Sequence, residues 1–355
     1  MLTSTEERTQ LQNKPTMGIM FFASTESLSA ASQYQSLLNC VRRADQIGID
    51  AVWIPERHYG KFGGLFPAPA VLAAAIATNT SRIGIRAGSV VTPLHEPLST
   101  VEDWSIVDNL SAGRVQMSLA SGWNSADFCL SPDQYVVRKE VTLRHVNELR
   151  RLWRGEALET FLPTGEPAQI SLHPRPVQPE IPLWMTSSGS RDTFMQAGQL
   201  GTGILTHMLG QSLDELAANI REYRRANVGA PDLPSGGKVA VMLHTMLGID
   251  NSGVIANAKN YLRTYFSDAL DLDLNTREID MDVSLRTRLV ENRVDHHLTN
   301  TSLIGTPERC ADHVSRLLRM GVDQIACLVD FGPSESEIME TIDRIPLLLD
   351  LALAD

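Results

Sequence analysis

The chain is poor in cysteine, short of basic residues, and holds no long hydrophobic run. Its four cysteines, Cys40, Cys129, Cys310 and Cys327, are spread over 355 residues. None forms a CxxC pair, and no histidine stands at metal-ligand spacing from one, so neither a disulfide framework nor a bound metal is expected. The pattern fits reduced, mostly buried thiols in a cytoplasmic protein, with Cys129 the one least readily assigned to packing. Lys and Arg number 31 against 42 Asp and Glu, a net charge of −11 that disfavours nucleic acid or an anionic membrane as partner. No apolar run approaches the ~20 residues of a membrane span. The opening MLTSTEERTQLQNKPT has no apolar h-region, so residues 1–16 read as a flexible lead-in and 17–355 as one domain. No GxGxxG follows the first apolar run, and no HxH follows it either, which disfavours a dinucleotide fold and a metal-dependent barrel hydrolase.

What the chain does have is alternation. Short apolar runs predict strands at 18–22, 51–54, 82–91, 114–120, 182–186, 203–205, 238–248 and 323–329. Helix-period segments lie at 34–47, 68–79, 98–110, 138–153, 192–200, 212–226, 252–267 and 307–320. Leu37, Leu38, Val41, Ala44 and Ile47 show the i, i+3, i+4 spacing of a core-facing stripe. Eight strand–helix units imply parallel strands, either closed as a (β/α)8 barrel of the TIM type with insertions or open and doubly wound. Polar residues gather after many different strands, as expected when a site is built on the C-terminal rim of a barrel. Two segments exceed ordinary loop length. Residues 161–182, rich in Pro and Gly, read as a hairpin-like excursion, and the acid-rich 268–300 reads as an irregular loop suited to a lid.

Three rims carry candidate chemistry. In PLWMTSSGSRDTF a buried strand runs into Ser188, Gly189 and Ser190 and then a helix near Arg191; the glycine, the Ser190 N-cap and the helix N-terminus together suit a phosphate. In LASGWNSADF the small Ser121 and Gly122 let backbone approach a flat ligand, and Trp123 and Asn124 add a ring and an amide. RAGSVVTP sets Gly88 and Ser89 at a third strand end. Together they suggest a slot for a planar aromatic cofactor with a phosphate tail. AVWIPERHYG adds Glu56, Arg57, His58 and Tyr59 directly after a buried strand.

The run AVWIPERHYGKFGGLFPAPAVLAAAIATNTSRIGIRAGSVVTPLHEP, followed by SAGRVQMSLASGWNSADF, resembles the bacterial luciferase-like flavin monooxygenases. RKEVTLRHVNELRRLWRG, LTHMLGQSLDELAANIREYR and TSLIGTPERCADHVSRLLRMGVDQIACLVDFG are similar to the subgroup found in natural-product (non-ribosomal peptide and polyketide) biosynthesis. The likeness runs from about Met17 to Gly332. It implies a luciferase-like barrel, non-covalent FMN, a homodimer, and a separate flavin reductase that supplies the reduced cofactor. It further implies a non-prolyl cis peptide at Gly88–Ser89, a phosphate loop of Ser188, Gly189 and Ser190, and Ser121-Gly122 facing the flavin. The chain departs from luciferase itself. Only His58 matches its two adjacent histidines, its reactive cysteine is replaced by Ala120 and the following basic residue by Ser121. A tyrosine common in relatives becomes Lys139. Light-emitting aldehyde chemistry is therefore not expected.

In flavin–oxygen chemistry His58 would shuttle a proton near neutral pH, and Arg57 would stabilise anionic oxygen while keeping its own charge. His244, central in VMLHTMLG, is the second candidate base. Glu56 would orient a neighbouring base, Tyr59 would pack, and Arg138 would reach flavin or substrate. His95, His296 and His297 read as structure or surface. The expected activity is a two-component, FMN-dependent monooxygenase acting on a small-molecule biosynthetic intermediate, one form of which is tethered to an acyl or peptidyl carrier protein. The alternatives are a hydride-transfer oxidoreductase using deazaflavin or FMN, and a non-catalytic flavin-binding subunit.

Overall fold

The computed structural model describes residues 14–22, 29–227, 233–277 and 281–354; most of the expected lead-in lies outside them. Eight parallel strands form a closed ring: β1 (Thr16–Met20), β2 (Ala51–Ile54), β3 (Gly84–Val91), β4 (Val115–Ala120), β7 (Leu183–Ser187), β8 (Gly203–His207), β9 (Val239–Leu247) and β11 (Gln324–Leu328). Each pairs with the next, and β11 pairs back onto β1, so the barrel has no open edge. The eight strands are those the apolar runs predict, because both faces of a barrel strand are buried, by side chains inside and by helices outside. The remaining strands are peripheral: β5 (Leu158–Phe161) and β6 (Pro167–Ile170) make the expected hairpin, and the short β10 (Leu303–Gly305) pairs in parallel beside the last residues of β9.

The outer layer is α1 (Ala30–Ile47), α2 (Pro69–Asn79), α3 (Pro97–Ser111), α4 (Gln134–Arg154), α5 (Arg191–Gln199), α6 (Leu213–Ala226), α9 (Pro307–Arg319) and α10 (Glu335–Ala354). Helix α1 shows how local chemistry sets the bounds. Ser29 caps it through a bond from the Ser32 N–H, Gly48 ends it at φ 87°, and Leu37, Cys40, Val41 and Ala44 form its buried stripe. The three cysteines Cys40, Cys310 and Cys327 are buried, and burial pushes their thiols up to about 12; Cys129 is exposed.

The barrel interior is closed at its lower end by a polar plug. The Arg86 guanidinium meets Asp50 at 2.9 Å and Gln324, whose Oε1 also accepts from the Trp53 indole at 3.1 Å. Above it Trp53 and Trp184 pack edge to face, ring centres 5.4 Å apart. A Cβ on Gly203 would lie 2.3 Å from the Trp184 ring, so only glycine leaves that indole its place.

Two expectations are corrected. Residues 268–300 are not an irregular loop: α7 (Asn251–Arg277) and α8 (Val283–Asn300) pack as a helical pair across the barrel mouth. Val290, Val294 and His297 are buried at helical spacing, a stripe that the acid-rich composition conceals. With Tyr265 and Phe266 the two valines join the cluster around Met242, Met246 and Phe331, which makes the segment part of the core. Helix α10 was not anticipated; it buries Ile338, Ile342 and Ile345 even with Pro346 inside it.

Candidate functional site

A cavity of about 290 Å³ opens at the C-terminal end of the barrel. Its wall is built from strand ends in turn: Met20, Glu56 and Arg57, Gly88 and Ser89, Ala120 to Trp123, Thr186 and Ser188, Leu205 to His207, and Met242, with Tyr265 from α7. Six of the expected site residues line it: Arg57, Gly88, Ser89, Ser121, Gly122 and Ser188.

Arg57 is 8% exposed, and its guanidinium donates to no side chain or carbonyl among the described residues. It is instead held by rings, 5.1 Å from the centre of Phe22, 5.5 Å from Phe62 and 5.7 Å from Trp123. Burial pulls its pKa down and the Asp127 carboxylate opposes that. The same burial pushes Asp127 up against the pull of Arg57. A charged fork with unfilled donors facing a cavity is a receptor for an anion.

Glu56 is the hub beside it. One carboxylate oxygen accepts from His58 Nε2 at 2.7 Å and from His95 Nε2 at 2.6 Å; the other accepts from the Val91 N–H at 2.7 Å. Burial alone would raise its pKa, yet these three donors hold the carboxyl below its ordinary value. An ionised carboxylate only accepts, so both histidines carry their proton on Nε2, and Nδ1 of His58 is the nitrogen left to take another. Burial would lower His95, but Glu56 outweighs it and raises the imidazole above its ordinary value. Sequence reasoning placed Glu56 as an orienting acid but left His95 aside, since 39 residues of chain separate the two.

The cofactor-like rims fold as follows. The peptide Gly88–Ser89 is cis. Ser89 Oγ contacts Thr186 Oγ1, which also lies 2.7 Å from Ser118 Oγ, so a row of hydroxyls joins three strands under the cavity floor. Gly122 sits at φ 73°, and a Cβ there would come within 2.9 Å of Phe128 and Val91. Ser188 faces the cavity, while the N–H groups of Gly189 and Ser190 turn to Ser187 Oγ at 3.2 and 3.1 Å, and Ser190 caps α5. Arg191 leaves this rim to pair with Glu222.

The other six expected residues, His58, Asn124, Arg138, Gly189, Ser190 and His244, stand off the cavity wall, His58 held behind it by Glu56. Asn124 caps the 3-10 turn Ser125–Phe128 and binds Asp127 at 2.7 Å. Arg138 donates to the Gly122 carbonyl at 3.1 Å, so it supports the loop. His244 is fully buried behind Tyr265, ring centres 4.6 Å apart, and its Nδ1 lies 3.0 Å from His297 Nε2. His297, which the sequence left as structure or surface, is a core residue, and burial lowers it to about 3. Tyr59, expected to pack, is 66% exposed at φ 54°.

His207 was not singled out, although it ends a barrel strand in GILTHMLG. It lines the cavity, and its Nδ1 accepts from the Leu209 N–H at 3.2 Å, so its proton sits on Nε2. Burial, with Arg293 adding to it, lowers its pKa to about 4. It is a neutral hydrogen-bond donor at physiological pH.

Comparison with known proteins shows the family and the fold. Residues 17–324 match the family model described as luciferase-like monooxygenase. A flavin-dependent trigonelline monooxygenase, oxygenase component, from Acinetobacter baylyi is 22% identical over 326 residues, 88% of this chain and 87% of its own. The 4-hydroxyprotoasukamycin monooxygenase of Streptomyces nodosus subsp. asukaensis is 28% identical over 182 residues, 49% of this chain and 48% of its own. Among solved structures, monooxygenase RslO1 from Streptomyces bottropensis superposes with a TM-score of 0.74 at 19% identity, covering 96% of this chain and 99% of that one. An F420-dependent secondary alcohol dehydrogenase superposes at 0.71 with 17% identity, covering 94% and 99%. No described helix is long and apolar enough to cross a membrane. The chain belongs to the luciferase-like monooxygenase family and is an oxidoreductase of the monooxygenase type.

Proposed function

We propose that the chain is the oxygenase component of a two-component, FMN-dependent system that places one atom of O2 on a natural-product intermediate and releases the other as water. The observation that carries this reading is Arg57, a buried guanidinium with unfilled donors on the wall of a slot made by small residues. The slot fits a flavin: Gly88 and Gly122 let a ring lie against backbone, and Val91, Leu205 and Met242 give it apolar flanks. Ser121, Ser188 and the N-terminus of α5 would hold the phosphate through hydroxyls and the helix dipole. Bound there in reduced form, delivered by a flavin reductase, FMN supplies the two electrons that the oxygen needs.

The remaining work falls to side chains. Arg57 stabilises negative charge on oxygen without giving up its proton. His58, its Nε2 fixed by Glu56, moves a proton at Nδ1, and His207 donates from Nε2 to an oxygen or carbonyl acceptor. Phe22, Phe62 and Tyr265 keep bulk water from the Arg57 face. The cavity carries one arginine and two carboxylates, Glu56 and Asp127, which favours the single phosphate of FMN over the acidic tail of a deazaflavin. A cytoplasmic location, a homodimer and a carrier-bound substrate belong to the same reading. The test combines chemically reduced FMN, 18O2 and candidate intermediates. One labelled atom in the product supports it; product oxygen drawn from water, or turnover that proceeds without O2, overturns it.

A further inference from the structure

Beside the cavity lies a second cleft of about 800 Å³, between the turn that joins β8 to α6 and the facing ends of α8 and α9. Leu209 belongs to both walls. The cleft has a cationic lining in a chain of net charge −11. Arg293 is held over the Phe266 ring at 4.9 Å, and Arg316 reaches only His313 Nδ1, at 3.4 Å; neither has a carboxylate within ion-pair distance among the described residues. His296 accepts from Asn300 at Nδ1 and so presents an Nε2 proton. The positive end of α6 adds to this through Ser212, and the one opposing group in the lining is the Asp214 carboxylate.

The turn that carries this lining is held in place by a buried amide. Gln211 is 8% exposed, and its Nε2 donates to the His207 carbonyl at 2.5 Å and to Thr206 Oγ1 at 2.9 Å. A carbonyl accepts only, so the amide orientation is fixed, and the enclosed Oε1 lies beside Gly189, 3.3 Å from where a Cβ there would stand.

We infer that this cleft is a second binding site, which takes the anionic end of the substrate, a phosphate or carboxylate, while the reactive end passes Leu209 into the cavity. The arginines hold the anion, and the His296 Nε2 proton adds a third donor. The identity of the reacting end rests on the oxygenase reading; the binding itself does not.

The test titrates FMN-saturated protein with glycerol 3-phosphate and, separately, with glycerate, followed by ligand-observed NMR. Arg293→Gln and Arg316→Gln each weaken binding about tenfold, the loss of one charge-assisted bond. Arg293→Lys recovers part of the loss, and FMN affinity and thermal midpoint stay unchanged in all three. Which probe binds more tightly separates phosphate from carboxylate. Equal affinity in the wild type and the double Gln variant overturns the site, as does displacement of either probe by FMN, which would put it in the Ser188 loop. Protein that fails to bind FMN yet holds a probe through these arginines would remove the flavin reading and leave the cleft standing.

Discussion

Replacing Glu56 by Gln puts the hub of the site to a quantitative test. The carboxylate side chain is fully buried and receives three donors. A glutamine has one oxygen, so its NH2 must face either the Val91 N–H or the two imidazole Nε2 protons, a donor against a donor. Stripping one partner from a buried charged network costs about 3–5 kcal/mol. At ~2.1 cal/mol/K of unfolding entropy per residue, a loss of about 3 kcal/mol lowers the midpoint of a chain this long by roughly 4 °C. The pH dependence is the sharper readout. His95 is raised by its partner, so its contribution is complete below its unfolded value near 6.5 and is lost as pH rises through the folded value. Glu56 is depressed, so its contribution is complete above its unfolded value near 4.5 and is lost as pH falls through the folded value. The gap in midpoint between wild type and Glu56→Gln is therefore widest between about pH 4.5 and 6.5. It narrows above that window. Thermal unfolding from pH 5 to 9, with NMR titration of the His95 ring, measures both. In the variant burial is opposed only by the Asp103 charge, so the His95 titration moves down from its wild-type position. A gap that stays flat across this range, or a His95 that titrates alike in both proteins, would refute the hub.

Three other outcomes follow from the same geometry. Arg57→Met removes the anion receptor but keeps apolar contact with the three rings, so oxygenated product falls about 10²-fold or more while O2 is still consumed as peroxide, measured by product yield against peroxide assay. Gly122→Ala forces a Cβ against Phe128 and Val91 at φ 73°; it costs on the order of 1–3 kcal/mol by denaturant midpoint and weakens FMN affinity by fluorescence titration. His207, His244 and His297 are all held neutral by burial, so the unfolded chain binds protons that the folded one refuses below pH 6.5. Their combined effect between pH 6.5 and 5 is on the order of 5 kcal/mol of lost stability, part of it offset by His95. His244→Phe with His297→Leu should flatten that acid limb in equilibrium unfolding.

The sequence by itself determined the eight strand–helix units of the barrel; their closure is seen in the pairing of β11 with β1. A strand buried on both faces must be a short apolar run, and an amphipathic helix must repeat near 3.6, so the eight units are legible locally. It also marked the rims, because Arg57, Ser121, Gly122 and Ser188 each follow a strand end and Gly88 lies in the upper half of its strand, and in a closed parallel barrel all strand ends meet at one mouth. What only the tertiary structure decided was which polar groups face that mouth and which turn away. Asn124 and Arg138 are spent on neighbouring backbone, and no local pattern distinguishes them from Ser121. His244 and His297, 53 residues apart, bury each other, as Glu56 gathers His58 and His95 from two different loops. Helix α8 escaped notice for the same reason: its apolar stripe is three residues wide in an acidic background, and it is helical because the barrel mouth supplies the surface on which those residues are buried.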